Sequence, residues 1–309
     1  MQSAVVVGGQ VVIMTLLTLV GIFARKKGFM NDAAARTLSA FLLNITLPCV
    51  MVSSIYREKR EELLLGFALA LFLGAIMHAV GILVSKALIK KREGYHPRAE
   101  RFAVTYANSA YMAIPMIRAA MGEDATFYAT AFVVMFLLFH WTHGIMELGG
   151  EFNSAKLLKN PCIISVFVGL VLFWFQIPLP GAVLDTVKLL AGLTTPLSMI
   201  IAGVFLSDIK ISDLRGINMY WTAAVRNIIT PVIIIAIVMV LGCANWFEGA
   251  RYAVIASVYS YACPSAVSVI LMSAALGKDA VYPSKIVAVT TFMSLITLPV
   301  MAAIADMLI

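Results

Sequence analysis

Apolar residues occur in runs of about 20 along the whole chain, separated by short polar connections, which is the length a helix needs to cross a bilayer. The runs predict spans over residues 3–24, 35–55, 63–88, 101–120, 126–147, 160–176, 184–206, 216–241, 250–275 and 281–307. The longest polar connection runs from Lys86 to Arg101, which leaves no room for a soluble domain. The expected fold is therefore an all-α polytopic membrane protein of ten transmembrane helices.

Composition agrees. Of 309 residues, 61% are hydrophobic and 13% charged, with a mean hydropathy of +0.95, whereas a soluble chain carries about a quarter charged residues. The first run reads as a retained span. No positive charge precedes it and Arg25-Lys26-Lys27 follow it, the reverse of a secretory leader. Sixteen of the 23 Lys and Arg fall at odd-numbered connections and six at even ones, with Arg226 inside the eighth span. That asymmetry predicts both termini outside and odd connections in the cytoplasm of a bacterial inner membrane. The net charge of +7 is thus mainly topological, and its dispersal argues against nucleic-acid binding. Cys49, Cys162, Cys243 and Cys263 lie in or beside apolar runs without CxxC spacing, as small buried thiols would.

The second half echoes the first. Arg101-Phe102-Ala103-Val104 is matched by Arg251-Tyr252-Ala253-Val254, and in-span Pro115 by Pro264. Gly122-Glu123-Asp124-Ala125 is matched by Gly277-Lys278-Asp279-Ala280, and Thr46-Leu47-Pro48 by Thr194-Thr195-Pro196. Four matches in register predict a duplication, residues 1–150 and 151–309. Five spans per copy is an odd number, so the second copy must lie inverted in the membrane. Two inverted halves around a midplane site are a transporter architecture, although water and urea channels also carry inverted repeats.

Proline removes a helix donor and clashes one turn back. In a membrane the freed backbone must face protein or a water-lined cavity. Both in-span prolines have polar and aromatic neighbours, Tyr106 to Tyr111 around one and Tyr259 to Ser265 around the other, so both helices are expected to be broken near the midplane. Second half-helices would aim positive N-terminal ends at the centre, which suits a carboxylate, while the first halves would offer carbonyls to a cation such as Na⁺.

Leu43-Asn44-Ile45-Thr46-Leu47-Pro48, Asn108-Ser109 through Ile114-Pro115, and Ala262-Cys263-Pro264-Ser265 together resemble the auxin efflux carrier family, whose bacterial permease branch includes carriers assigned to malonate and malate. The resemblance implies a scaffold of helices 1, 2, 6 and 7. It also implies a transport bundle of helices 3–5 and 8–10, in which broken helices 4 and 9 cross and hold substrate against the scaffold. The fold is shared with sodium/bile-acid symporters. The Glu147–Asn160 connection is short, so the long central loop of the plant members is missing here.

The candidate substrate residues follow from the motifs and the breaks: Asn108, Ser109, Tyr111 and Pro115 in the fourth span, Tyr261, Pro264, Ser265 and Ser268 in the ninth, Asn44, Thr194 and Thr195 on the scaffold, and Arg226. Each has a plainer alternative. Asn108 has the alternative of capping freed backbone, the threonines of bonding back to their own helices, the tyrosines of filling a membrane bundle, and Arg226 of anchoring helix carbonyls instead of a carboxylate. His78, His140 and His143 read as hydrogen-bonded interior histidines, and His140-x-x-His143 lacks a third metal ligand.

No Asp or Glu occupies the middle of a predicted span, so coupling would rest on H⁺ carried by a histidine or by the substrate, on a cation such as Na⁺ held by carbonyls, or be absent. No HExxH or GxSxG motif points to an enzyme. The expected activity is elevator-like secondary transport of a small mono- or dicarboxylate, with no resident cofactor, by a protein able to form a homodimer. A sodium-coupled carrier of the bile-acid-symporter kind and an anion channel are the alternatives. The topology is checked by cysteine labelling. In intact cells a membrane-impermeant maleimide should modify Ser3→Cys and a cysteine added after Ile309, and should reach Lys90→Cys only after permeabilisation.

Overall fold

The computed structural model describes residues 2–90, 97–207, 209 and 216–309. Helix α1 (Gln2–Lys26) is followed by α2 (Asp32–Ile55), α3 (Glu61–Leu88) and the short α4 (Pro97–Thr105). Then come α5 (Ser109–Glu147), α6 (Ser154–Leu158), α7 (Pro161–Phe175) and α8 (Gly181–Leu206). The chain closes with α9 (Ile217–Leu241), α10 (Ala250–Ala262), α11 (Ser268–Ala275) and α12 (Val281–Leu308). No strand is present among the described residues; the only extended pairing there is one isolated antiparallel bridge, Ala107 with Ser265.

Local chemistry sets the helix ends. Asn31 caps α2 by accepting from Ala34 N at 2.8 Å. Asn160 caps α7 by accepting from Cys162 N, with Pro161 in the first turn, where its missing N–H costs nothing. Gly122 has φ 86°, a left-handed conformation that bends α5 into two arms. Three helices widen to π-type turns: α2 at Leu42–Thr46, α5 at Ser109–Ala113 and His140–Gly144, and α9 at Val225–Ile229.

Seven of the described helices are long and apolar enough to cross a membrane: α1, α2, α3, α5, α8, α9 and α12. The 39-residue α5 joins two predicted spans through the bend at Gly122. At 1.5 Å per residue, α4, α10 and α11 are each too short to cross alone. The fourth and ninth predicted spans are therefore interrupted, as expected, but not symmetrically. The chain leaves the helix at Tyr106–Asn108, two turns before Pro115, whereas Pro264 lies within the second interruption, Cys263–Val267. The reading that placed Pro115 at a break is corrected. Pro115 sits in the first turn of the α-helical part of α5, directly after the π-type turn, where a missing donor is tolerated.

Two groups of helices form. In one, α1 packs on the second half of α8, and the second half of α2 packs on α7 and on the first half of α8. In the other, α3, α5 and α10 pack on one another, and α9 lies against α12. Helix α1 touches both groups through α12 and α5. Large apolar side chains point outward around the molecule, among them Leu16, Phe23, Phe167, Trp174, Phe175 and Ile296, the surface a lipid solvent accepts.

The α1–α8 contact is made backbone to backbone at Gly21 and Gly203. A Cβ on Gly203 would overlap Thr18 O, and one on Gly21 would overlap Ile200 O. Small residues of this kind let membrane helices approach closely. Gly203→Leu is expected to lower the thermal stability of the detergent-solubilised protein steeply, by more than the 1–3 kcal/mol typical of overpacking. Gly9→Leu, where nothing lies within 4 Å of the added carbon, should leave it unchanged.

Candidate functional site

The two interruptions meet. Asn108 N donates to Pro264 O at 2.8 Å and Ala266 N donates to Tyr106 O at 2.9 Å, closing the antiparallel bridge between Ala107 and Ser265. Backbone freed from one helix thus satisfies backbone freed from the other, which a buried break in a membrane requires. The N-terminal ends of α5 and α11 begin at this crossing, and the C-terminal ends of α4 and α10 stop at it.

Arg226, fully buried on the π-type turn of α9, serves those C-terminal ends. Its Nη1 donates to Val104 O at 2.8 Å, its Nε to Cys263 O at 3.1 Å, and its Nη2 to Cys263 O at 2.9 Å and to Tyr261 O. The guanidinium also lies 4.5 Å from the centre of the Tyr261 ring. A cation at two helix C-termini is favoured by both dipoles. Of the two roles read from the sequence, the geometry is that of the carbonyl anchor. Next to it, Asn227 Nδ2 donates to Thr290 O at 2.8 Å, tying α9 to α12.

Several other candidates are held in the same framework. Ser265 Oγ donates to Ala103 O at 2.9 Å, and Ser109 Oγ to Ala107 O at 3.3 Å, so both hydroxyls serve the interruptions. Tyr261 is buried beneath Arg226, with its hydroxyl against Gly81. Tyr259 donates to Asp306 Oδ1 at 2.8 Å.

Three small cavities of about 10, 20 and 30 Å³ surround the crossing, each with room for roughly one water. Asn108 borders the first two, between α1 on one side and α2 on the other. Tyr111 and Ser268 border the second and third. Ser268 Oγ is 2.7 Å from His140 Nε2, and His140 lines the second cavity beside Asn108. These side chains face apolar walls from α2, Leu43 and Leu47, and from α8, Ile201 and Met199. Leu271 borders both the third cavity and a wider one of about 230 Å³, which is also lined by Arg36, Phe205, Ile270 and Lys285. At the opposite end of the same helix groups, the bend of α5 is pinned by ion pairs. Asp124 lies 2.9 Å from Arg57 and 2.7 Å from Arg60, at the edge of a cavity of about 820 Å³.

The scaffold candidates do not reach the crossing. Asn44 is exposed and its carboxamide donates to Ala40 O at 2.7 Å, leaving Leu42, Leu43 and Leu47 to face inward. Thr194 is buried and Thr195 half-buried in α8, but neither borders these cavities; Ser198, one turn on, does. Sequence reasoning weighed a proton-carrying role for His140 and set it aside for that of a hydrogen-bonded interior histidine. It passed over Glu100, expected at a polar connection but fully buried in α4 and hydrogen-bonded by Tyr282 Oη. Ser198 was missed as well, although its place one helical turn after Thr194 was a usable signal.

For a carbonyl anchor, Arg226→Met should cost about 1–3 kcal/mol of stability for each buried carbonyl it orphans, read as a lowered melting temperature in detergent. A variant of wild-type stability that had lost anion affinity would instead mark a substrate contact.

The sequence was compared with known proteins. The model of a family described as membrane transport protein matches twice, over residues 6–155 and 150–302. An uncharacterized transporter of Methanothermobacter thermautotrophicus is 22% identical over 311 residues, covering 94% of this chain and 95% of the relative. With nearly all of its length matched by that model, the chain belongs to the membrane transport protein family, the auxin efflux carrier family that its motifs resemble.

Proposed function

We propose that the protein is a secondary carrier of a small organic anion, bound through a carboxylate where the interruptions of α4/α5 and α10/α11 cross. The observation that carries the reading is the antiparallel pairing of the two interruptions beside cavities bordered by Asn108, Tyr111, Ser268 and His140. Two half-helix N-termini give that region a positive potential without a fixed cation. Asn108 has donors and an acceptor near the meeting point, and Ser268 sits in the first turn of α11.

In this reading the chain has ten spans. Helix α4 with the first arm of α5 counts as the fourth, the second arm of α5 as the fifth, and α10 with α11 as the ninth. The antiparallel bridge and the tandem family match support two inverted copies. Helices α1, α2, α7 and α8 act as the scaffold against which the remaining bundle slides. The crossing cavities are too small for a carboxylate as they stand, so binding accompanies a displacement of bundle against scaffold. The cavity beside Arg36 and Lys285 gives access from the cytoplasmic end, and the Arg57/Arg60–Asp124 pairs close the outer end.

The test is counterflow in proteoliposomes containing the purified protein and labelled acetate, malonate and malate. At least one should exchange, with acceleration by substrate on the opposite side, which a channel does not give. Asn108→Ala should weaken transport about 10- to 100-fold, the loss of a hydrogen bond to a charged group. Asn44→Ala should match wild type. Equal rates for Asn108→Ala and wild type would remove the crossing from the substrate path.

A further inference from the structure

An anion at the crossing needs a counter-charge, and no fixed one is at hand. The residues bordering the three small cavities include no Asp, Glu, Lys or Arg. The neighbouring buried cation, Arg226, is committed to the carbonyls of Val104, Tyr261 and Cys263. Those are also the carbonyls a sodium ion would need, and a guanidinium already occupies them.

His140 is the cavity-lining side chain that becomes a cation on taking up a proton. It is 4% exposed. Its Nε2 is 2.7 Å from Ser268 Oγ, and its Nδ1 is buried without a hydrogen-bond partner. A neutral imidazole has one donor and one acceptor. Whichever nitrogen carries the proton, Nδ1 is left with a donor or an acceptor unmatched, an arrangement that disfavours the empty site. A carboxylate against a protonated Nδ1 satisfies both partners.

The groups facing the ring are consistent with this role. Tyr106, from the interruption after α4, stands edge-on with its ring centre 5.6 Å away. Tyr111 and Trp141 share the same cavity. His78 of α3 lies behind, stacked on Phe139, and beyond it stand Tyr261 and Arg226. Helix α2 contributes only Leu43 and Leu47. One turn along α5, His143 Nδ1 is 2.9 Å from Tyr106 Oη, and its Nε2 is 3.8 Å from Glu147 at the end of the helix. Three of the four histidines in the chain therefore gather around Tyr106.

We infer that His140, positioned by Ser268, takes up a proton together with the organic anion, so that each turnover moves a carboxylate and a proton across the membrane as a pair. This rests on the carrier reading above. The proton comes from water on the side where the site opens and returns to water on the other, and no bond of the substrate changes. Proton and anion each raise the affinity for the other by the same factor. Pairing also avoids carrying an unneutralised charge through a low-dielectric interior. Because imidazolium is the binding form, anion affinity is greatest on the acid side and falls as pH rises through the titration of His140.

The test uses proteoliposomes of the full chain and the same three labelled acids. With the outside one pH unit more acid than the inside, wild-type initial uptake should rise several-fold. His140→Gln, which keeps an amide where Nε2 meets Ser268, should exchange the acid more slowly at equal pH and show no rise with the gradient. His140→Asn is the second variant, should the first prove unstable by size exclusion. In parallel, the thermal shift of purified protein with the transported acid should weaken with rising pH in wild type and be flat in His140→Gln. A wild type that transports none of the acids overturns the carrier reading and this one with it. Transport indifferent to the pH gradient, or a pH dependence kept in His140→Gln because the proton rides on the substrate, overturns the role of His140 alone.

Discussion

The structure depends on the way two interrupted helices satisfy each other's backbone. Water is absent from the middle of a bilayer, so an open turn there is tolerable only if every freed N–H and C=O finds a partner in protein. The bridge between Ala107 and Ser265 provides part of this, and Arg226 collects carbonyls from both helix ends. Ser265 and Ser109 complete the set from their own side chains. One guanidinium therefore ties α9 to α4 and α10, and makes the crossing a rigid knot instead of a hinge. Any motion that exposes the site alternately must carry this knot whole.

The surroundings are compatible with that. The crossing faces α1, α2 and α8 through mainly apolar side chains, such as Met14, Leu47 and Met199, and small cavities, whereas its own two stretches of backbone are joined by hydrogen bonds. The looser boundary runs between the helix groups, and it ends at the wider cavities beside Arg36 and Lys285 and beside Arg57 and Asp124. Helix α1 crosses that boundary, fixed to α8 by the glycine contact yet lying also against α12 and α5. It is the element along which sliding would be felt first.

Much of the architecture was legible in the sequence because membrane burial writes itself in run length and proline position. The helical class, the interrupted fourth and ninth spans, and a meeting place near Asn108 and Pro264 all follow from those signals. What was not legible is which polar group each freed backbone atom would choose. Pro115 looked like the point of interruption, yet the chain opens at Tyr106–Asn108, where no proline stands. Arg226 read as a substrate contact, with the carbonyl anchor as the plainer alternative, since a guanidinium's donors fit both. Asn44 appeared next to a motif and still turned outward to Ala40. Choices of this kind depend on three-dimensional neighbours far apart in sequence, such as Val104 and Cys263 around Arg226.

The π-type turns carry a further consequence. Each inserts one extra residue into a helix whose residues otherwise step by about 100°, so the chain beyond it presents a different face from the one its periodicity announces. Ser109, His140 and Arg226 all lie on such turns. Their aim is thus set by a count of residues as much as by their identity. Removing Ile228 or Ile229 from Val225–Ile229 would leave a more regular helix that still carries Arg226 and Asn227, and would swing one half of α9 round relative to the other, so that these two could no longer both keep their partners.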